Sequence, residues 1–208
     1  MTAPDEKVRS FKQARVWVKR DLVQRGALTP NGRITIAILL RDPINLFMLL
    51  LRLKEWTANA RTPVLVRLVI AVLFRRQSIK LGFSIPPNVF GPGLAIVHYG
   101  PIVVNGNARV GANCRVHVCV NIGGAGVLVS PEAAVDLAPQ IGNNVYIAPG
   151  VKIYGAIRIA HGIAIGANAV VNRTFDEPGT TIAGVPARVI SHKGSLGMIL
   201  EVGKEPFI

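Results

Sequence analysis

Residues 141–171 read IGNNVYIAPGVKIYGAIRIAHGIAIGANAVV, and counting along them in sixes decides the fold. Ile141, Ile147, Ile153, Ile159, Ile165 and Val171 fall on that count without a slip. Four residues after the first five stand Val145, Val151, Ile157, Ile163 and Ala169, all small or apolar. Upstream, Val104, Val110, Val116 and Ile122 keep the same period, with Ala108, Cys114 and Val120 in the second register. The residue directly after the aliphatic one is often small: Gly111, Gly123, Gly142, Ala148, Ala160, Gly166. An amphipathic helix needs a period of 3.6, which a count of six does not supply. A coil of three short flat strands does fit, with each hexapeptide forming one face of a triangular prism. The aliphatic residue points inward and stacks on its equivalents above and below. Gly, Ala or Asn then suits the corner, where the backbone turns tightly. Each coil needs a neighbour to bury its layer, so the array is cooperative along one dimension.

Two interruptions break the count. Ile96 to Val104 takes eight residues instead of six and contains Val97-His98-Tyr99-Gly100-Pro101. Between Ile122 and Ile141, residues 123–140 leave the prism as a loop. Loops on a rigid scaffold are common places for function.

Residues 1–80 follow a different rule. Aliphatic runs alternate with Arg and Lys, and helices are expected over about 6–25, 32–41, 43–58 and 63–79. Thr29-Pro30-Asn31-Gly32 and Arg41-Asp42-Pro43 punctuate them. The net charge of +13 is concentrated here: residues 1–80 carry sixteen Lys and Arg against five Asp and Glu, a balance of +11. Residues 81–208 carry eight against six, so the repeat body is nearly neutral. That asymmetry argues against nucleic acid, which a uniformly basic body would suggest. It fits basic helices packed on each other or on a second subunit, with helices lying on an anionic membrane as the alternative. No apolar run reaches spanning length, and no secretory signal opens the sequence. The protein is therefore expected in the cytoplasm, at the inner face of the membrane if the helices bind lipid. The organisation expected is a helical region over 1–80, a β-helix over 81–190 and a tail over 191–208. Cys114 and Cys119 form no disulfide or metal pattern, and Cys114 falls on the inward register, where a thiol is inert.

The segment 90–190 resembles the hexapeptide-repeat acetyltransferases, within them the serine acetyltransferase-like branch. The residues that carry this are Gly91-Pro92-Gly93, Ile96-Val97-His98-Tyr99-Gly100, Val120-Asn121-Ile122-Gly123-Gly124, 138–145 (APQIGNNV) and the closing run 182–190 (IAGVPARVI). The resemblance implies a left-handed β-helix, a homotrimer with sites in the clefts between subunits, and acetyl-CoA as acetyl donor with no metal. Three positions depart from serine acetyltransferase. The Asp before the catalytic His is Val97, the Arg-His pair before the loop Pro is Leu137-Ala138, and the Asp of the first coil aligns near Phe83. In that branch these charges hold the amino acid. Without them the pattern resembles the capsule and cell-surface polysaccharide O-acetyltransferases. The expected acceptor is then a hydroxyl of a glycan or lipid-linked sugar. Serine and a non-catalytic scaffold are the alternatives.

Acetyl transfer from a thioester to an alcohol needs a base, donors for the oxyanion and a track for the pantetheine arm. His98 sits in the eight-residue interruption and matches the family's base. Backbone N–H groups over Asn121, Gly123 and Gly124 are expected oxyanion donors, and Asp136 is a loop group that could orient His98. The family's coenzyme track matches Ala148 and Ala167, small enough for close approach, with Arg173 and Arg188 for the phosphates. His117 faces outward at a prism corner, and His161 and His192 are expected to be solvated. A γ-type carbonic anhydrase needs two histidines five apart, whereas the nearest pair here, His98 and His117, is 19 apart. A sugar nucleotidyltransferase needs a Rossmann-like unit that residues 1–80 lack.

Overall fold

The computed structural model describes residues 7–28, 31–126 and 137–200. Four helices come first, and side chains set where three of them start. α1 (Phe11–Gln24) begins where the Ser10 hydroxyl accepts the Gln13 N–H. α2 (Ile36–Arg41) begins where Thr35 accepts the Ile38 N–H. α3 (Pro43–Asn59) begins where Asp42 accepts the Ile44 N–H, with Pro43 in the first turn. The starts expected at 6 and 32 therefore lie too early, because the capping hydroxyls at Ser10 and Thr35 fix them. α4 (Val64–Leu81) ends at Gly82, whose φ of 75° is the left-handed stop that glycine adopts without strain.

From Phe83 the chain coils into a prism of three sheets. The first holds Phe83–Ser84, Ile102–Val104, Asn121–Gly123, Lys152–Tyr154 and Val170–Val171. The second holds Arg109–Val110, Gln140–Ile141 and Arg158–Ile159. The third holds Ala95–Ile96, Arg115–Val116, Tyr146–Ile147, Ala164–Ile165 and Thr181–Gly184, all parallel, and closes with antiparallel Ala187–Ser191.

The register shows the period directly. Ile141 lies beside Ile159, Ile147 beside Ile165 and Ile153 beside Val171, each pair eighteen residues apart. Ile96 lies beside Val116, two residues beyond that spacing, and the extra two belong to the turn that carries His98. Val116 lies beside Ile147, thirteen beyond it, and the surplus falls in the sequence between Gly123 and Gln140. Both aliphatic series point inward as the count requires: the first is 0 to 4% exposed and the second 0 to 7%.

The corner residue is not the small residue after the aliphatic one. Positive φ falls two positions later, at Asn113 (56°), Asn144 (55°), Asn168 (57°) and Gly150 (77°). Gly111 and Gly142 are small for another reason. A Cβ on Gly142 would stand 2.8 Å from the His161 backbone nitrogen, so glycine is there to let two coils touch.

The helices join the coil through one core, in which Leu22, Phe47, Met48 and Leu51 meet Phe83, Phe90 and Leu94. They also join through one buried ionic cluster. Arg52 is 0% exposed and all five of its N–H groups are used. Nε and Nη2 donate to Asp21 (2.7 and 3.2 Å) and Nη1 to Glu55 (2.9 Å). Nη1 and Nη2 also reach the Phe90 and Gly91 carbonyls (2.8 and 2.7 Å). Asp21 in turn accepts the Gly93 and Leu94 N–H groups, and Glu55 that of Asn88. The cluster thus ties α1 and α3 to the first coil at a fixed angle.

Candidate functional site

That angle opens a cleft of about 610 Å³ between the helices and the first coils. Ala95, Val97, His98 and Tyr99 line it from the first coil and Arg115 from the second; Arg25, Arg41 and Asp42 line it from the helices. Arg25 holds the cleft together. Its Nε donates to the Ile96 carbonyl (2.8 Å), Nη1 to Asn45 and Nη2 to Asp42 (2.5 Å each). The end of α1 and the start of α3 are thereby fixed to the strand just before His98. Asp42 is a third exposed, so a carboxylate that caps α3 and pairs with Arg25 still faces the cleft.

His98 is followed down the prism by His117, with ring centroids 6.1 Å apart, and His117 meets the edge of Tyr146 at 5.2 Å. Burial pushes the His117 pKa below the ordinary imidazole range, and Arg115 and His98 push it further down. The shift favours the neutral form of the His117 ring.

The third sheet's register sets out the edge on which these groups stand. The residues after its inward aliphatics are Val97, His117, Ala148, Gly166 and Ala183. Their N–H groups form one ladder, from Val97 to the Val116 carbonyl (3.1 Å), His117 to Ile147 (3.1 Å), Ala148 to Ile165 (3.1 Å) and Gly166 to Ile182 (2.8 Å). Ala148, buried, and Ala167, exposed, thus lie below His98 on the same edge. Arg188 pairs with Ala183 at its far end. Four strand spacings of about 4.8 Å make a track of about 19 Å.

The other sequence-derived residues fall elsewhere. Gly123 and Gly124 lie at the next edge, where the first sheet ends. The Asn121 N–H donates to the Val151 carbonyl (2.9 Å), so sheet pairing already uses it and it is not an oxyanion donor within the chain. Arg173 also follows a first-sheet strand, with its guanidinium over the Phe175 ring at 5.2 Å, away from the Ala148 edge. Asp136 lies outside the described residues. His161 is not simply solvated: its Nδ1 accepts the Asn143 N–H (2.8 Å). Cys114 is buried, which pushes its thiol up to about 12 and leaves it inert. Sequence reading missed Arg25, Asp42, Arg41 and Arg115. Arg41-Asp42-Pro43 was legible as a helix start, but its place beside His98 depends on tertiary packing.

No family model matches the chain. The serine acetyltransferase of Synechococcus elongatus is 32% identical over 79% of the chain, and that of Mycobacterium tuberculosis 33% identical over 67%. The chain spans only 64% and 57% of those two proteins' lengths. The crystal structure of serine acetyltransferase from Vibrio cholerae overlays with a TM-score of 0.62 at 24% identity, covering 90% of this chain and 70% of that one. That likeness carries the fold, a left-handed parallel β-helix of hexapeptide repeats behind a helical region. Together the matches support the hexapeptide-repeat acetyltransferase family.

They also correct one expectation. These relatives are serine acetyltransferases, so a glycan or lipid-linked sugar as acceptor, and polysaccharide biosynthesis with it, is overturned. The physical reason lies in the cleft. Val97, Leu137 and Ala138 suggested a site without counter-ions, yet Arg25, Arg41, Asp42 and Arg115 bring both signs of charge to His98.

Proposed function

We propose that the chain transfers the acetyl group of acetyl-CoA to the hydroxyl of serine, with His98 as general base. The observation that carries this reading is the shared cleft: one imidazole, one carboxylate (Asp42) and several arginines within a pocket of small-molecule size. An amino acid brings an ammonium for Asp42 and a carboxylate for an arginine, which leaves its hydroxyl for His98.

In this mechanism His98 takes the Oγ proton as Oγ attacks the thioester carbon. The carbonyl electron pair moves onto oxygen in a tetrahedral intermediate. That intermediate collapses, expels the coenzyme thiolate and forms the ester. The thiolate then takes the proton back from His98. Ala148 and Ala167 leave room for the pantetheine arm along the His98 edge, and Arg188 at its end meets the phosphates.

The working unit of this proposal is a homotrimer. Gly123, Gly124 and Arg173 lie at a different edge from His98, so a second copy is what could bring them to it. Supporting this, α4 turns Val64, Leu65, Leu68 and Val72 outward at 56 to 73% exposure, an apolar face that a second copy would cover. The same helix carries Arg67, Arg75, Arg76 and Lys80, and no acidic residue occurs between Glu55 and Glu132. A trimer in light scattering fits the proposal. A monomer that sediments with anionic liposomes at low salt would assign α4 to lipid instead. Among the described residues, no helix is long and apolar enough to cross a membrane.

The test of the reaction is the product. Incubation with acetyl-CoA and L-serine should give O-acetylserine by mass spectrometry. No product from serine, under conditions where the protein is folded, would remove the reading.

A further inference from the structure

We infer that Arg115 holds the carboxylate of the amino-acid acceptor, an inference that rests on the serine reading above. The resemblance to serine acetyltransferases implies that an Arg-His pair is among the charges that hold the amino acid, and its positions here are the uncharged Leu137 and Ala138. Neither can serve. Ala138 is 3% exposed, and Leu137 uses its carbonyl to accept the Ala125 N–H (2.9 Å) at the base of the loop. A zwitterion in the cleft would still need a cation for its carboxylate.

Three arginines line the cleft and they differ in what they have left to give. Arg25 spends Nε, Nη1 and Nη2 on Ile96, Asn45 and Asp42. Arg41 ends the six-residue helix α2 and is exposed, so water competes for its donors. Arg115 is half-buried on a strand of the third sheet, where its position next to inward Val116 turns it outward. Its guanidinium makes one hydrogen bond among the described residues, from Nη1 to the Met198 carbonyl, 3.5 Å long. A planar guanidinium with unspent donors in a partly desolvated site is suited to a carboxylate, which it grips with two parallel bonds.

The register supplies the geometry. Arg115 is paired with Ala95, three residues before His98 on the adjacent strand. Ala95 and Arg115 both line the cleft. Arg115 and His98 line the same cleft, so an acceptor with a charge at one end and a hydroxyl two carbons away can meet both.

The experiment compares two acceptors, L-serine and L-serinamide, which lacks the carboxylate charge, across wild type, Arg115→Gln and Arg115→Lys. Melting temperatures confirm that each variant is folded. Arg115→Gln should lower kcat/KM for serine about 100-fold, mainly through KM, because the lost interaction is a charged hydrogen bond made in ground and transition state alike. Serinamide should change less than about threefold, and Arg115→Lys should recover part of the serine activity by restoring the charge without the fork. Equal losses on both acceptors, or none on serine, would overturn the assignment while leaving serine as acceptor. Wild type that turns over serinamide but not serine would overturn this assignment and the serine reading together.

Discussion

The coil and the helical region are held in opposite ways. The coil is stabilised by repetition: layer after layer of aliphatic side chains, none individually special, each buried by its neighbours. The helices are oriented by directional bonds, above all those of Arg52, whose five donors reach two carboxylates and two backbone carbonyls. Non-directional burial makes a regular body, whereas directional bonds fix an angle. The cleft lies on the seam between the two, so its shape depends on both.

Four substitutions test that contrast. Arg52→Met is expected to cost most, about 3–5 kcal/mol, because it leaves Asp21 and Glu55 buried without a cation. Denaturant unfolding measures that cost, and a loss below about 1 kcal/mol would show the helices held by apolar contact alone. Ile147→Ala should cost about 2–5 kcal/mol, the price of a cavity in a stacked layer. The same substitution at Ile165, one coil further down, should cost about the same if the layers are equivalent; a large difference would refute the uniform stack. Arg158→Ala removes an exposed pair with Asp176 at 3.5 Å and should shift stability by less than about 0.5 kcal/mol.

The same contrast explains what the sequence disclosed. The coil was legible because a period of six recurs at Ile141, Ile147, Ile153, Ile159, Ile165 and Val171, and both interruptions reappear as register excesses. His98 was legible because it breaks that period. Asp42 and Arg115 were not. Their identities are ordinary in a helix start and a strand, and only the seam brings them to one cleft. The acceptor is hidden for the same reason: the absence of charge at Val97, Leu137 and Ala138 is not an absence of charge in the cleft. The small residues after the aliphatics were misassigned because sequence spacing does not distinguish a turn from a close approach between coils.

The account stands on His98 acting in a charged cleft. The direct measurement is coenzyme thiol release from acetyl-CoA with L-serine, wild type beside His98→Ala, at equal melting temperature. Serine-dependent turnover is expected in the wild type, with a loss of about 10²–10⁴-fold in the variant, the usual contribution of a general base. Serine-dependent turnover that survives His98→Ala would contradict it.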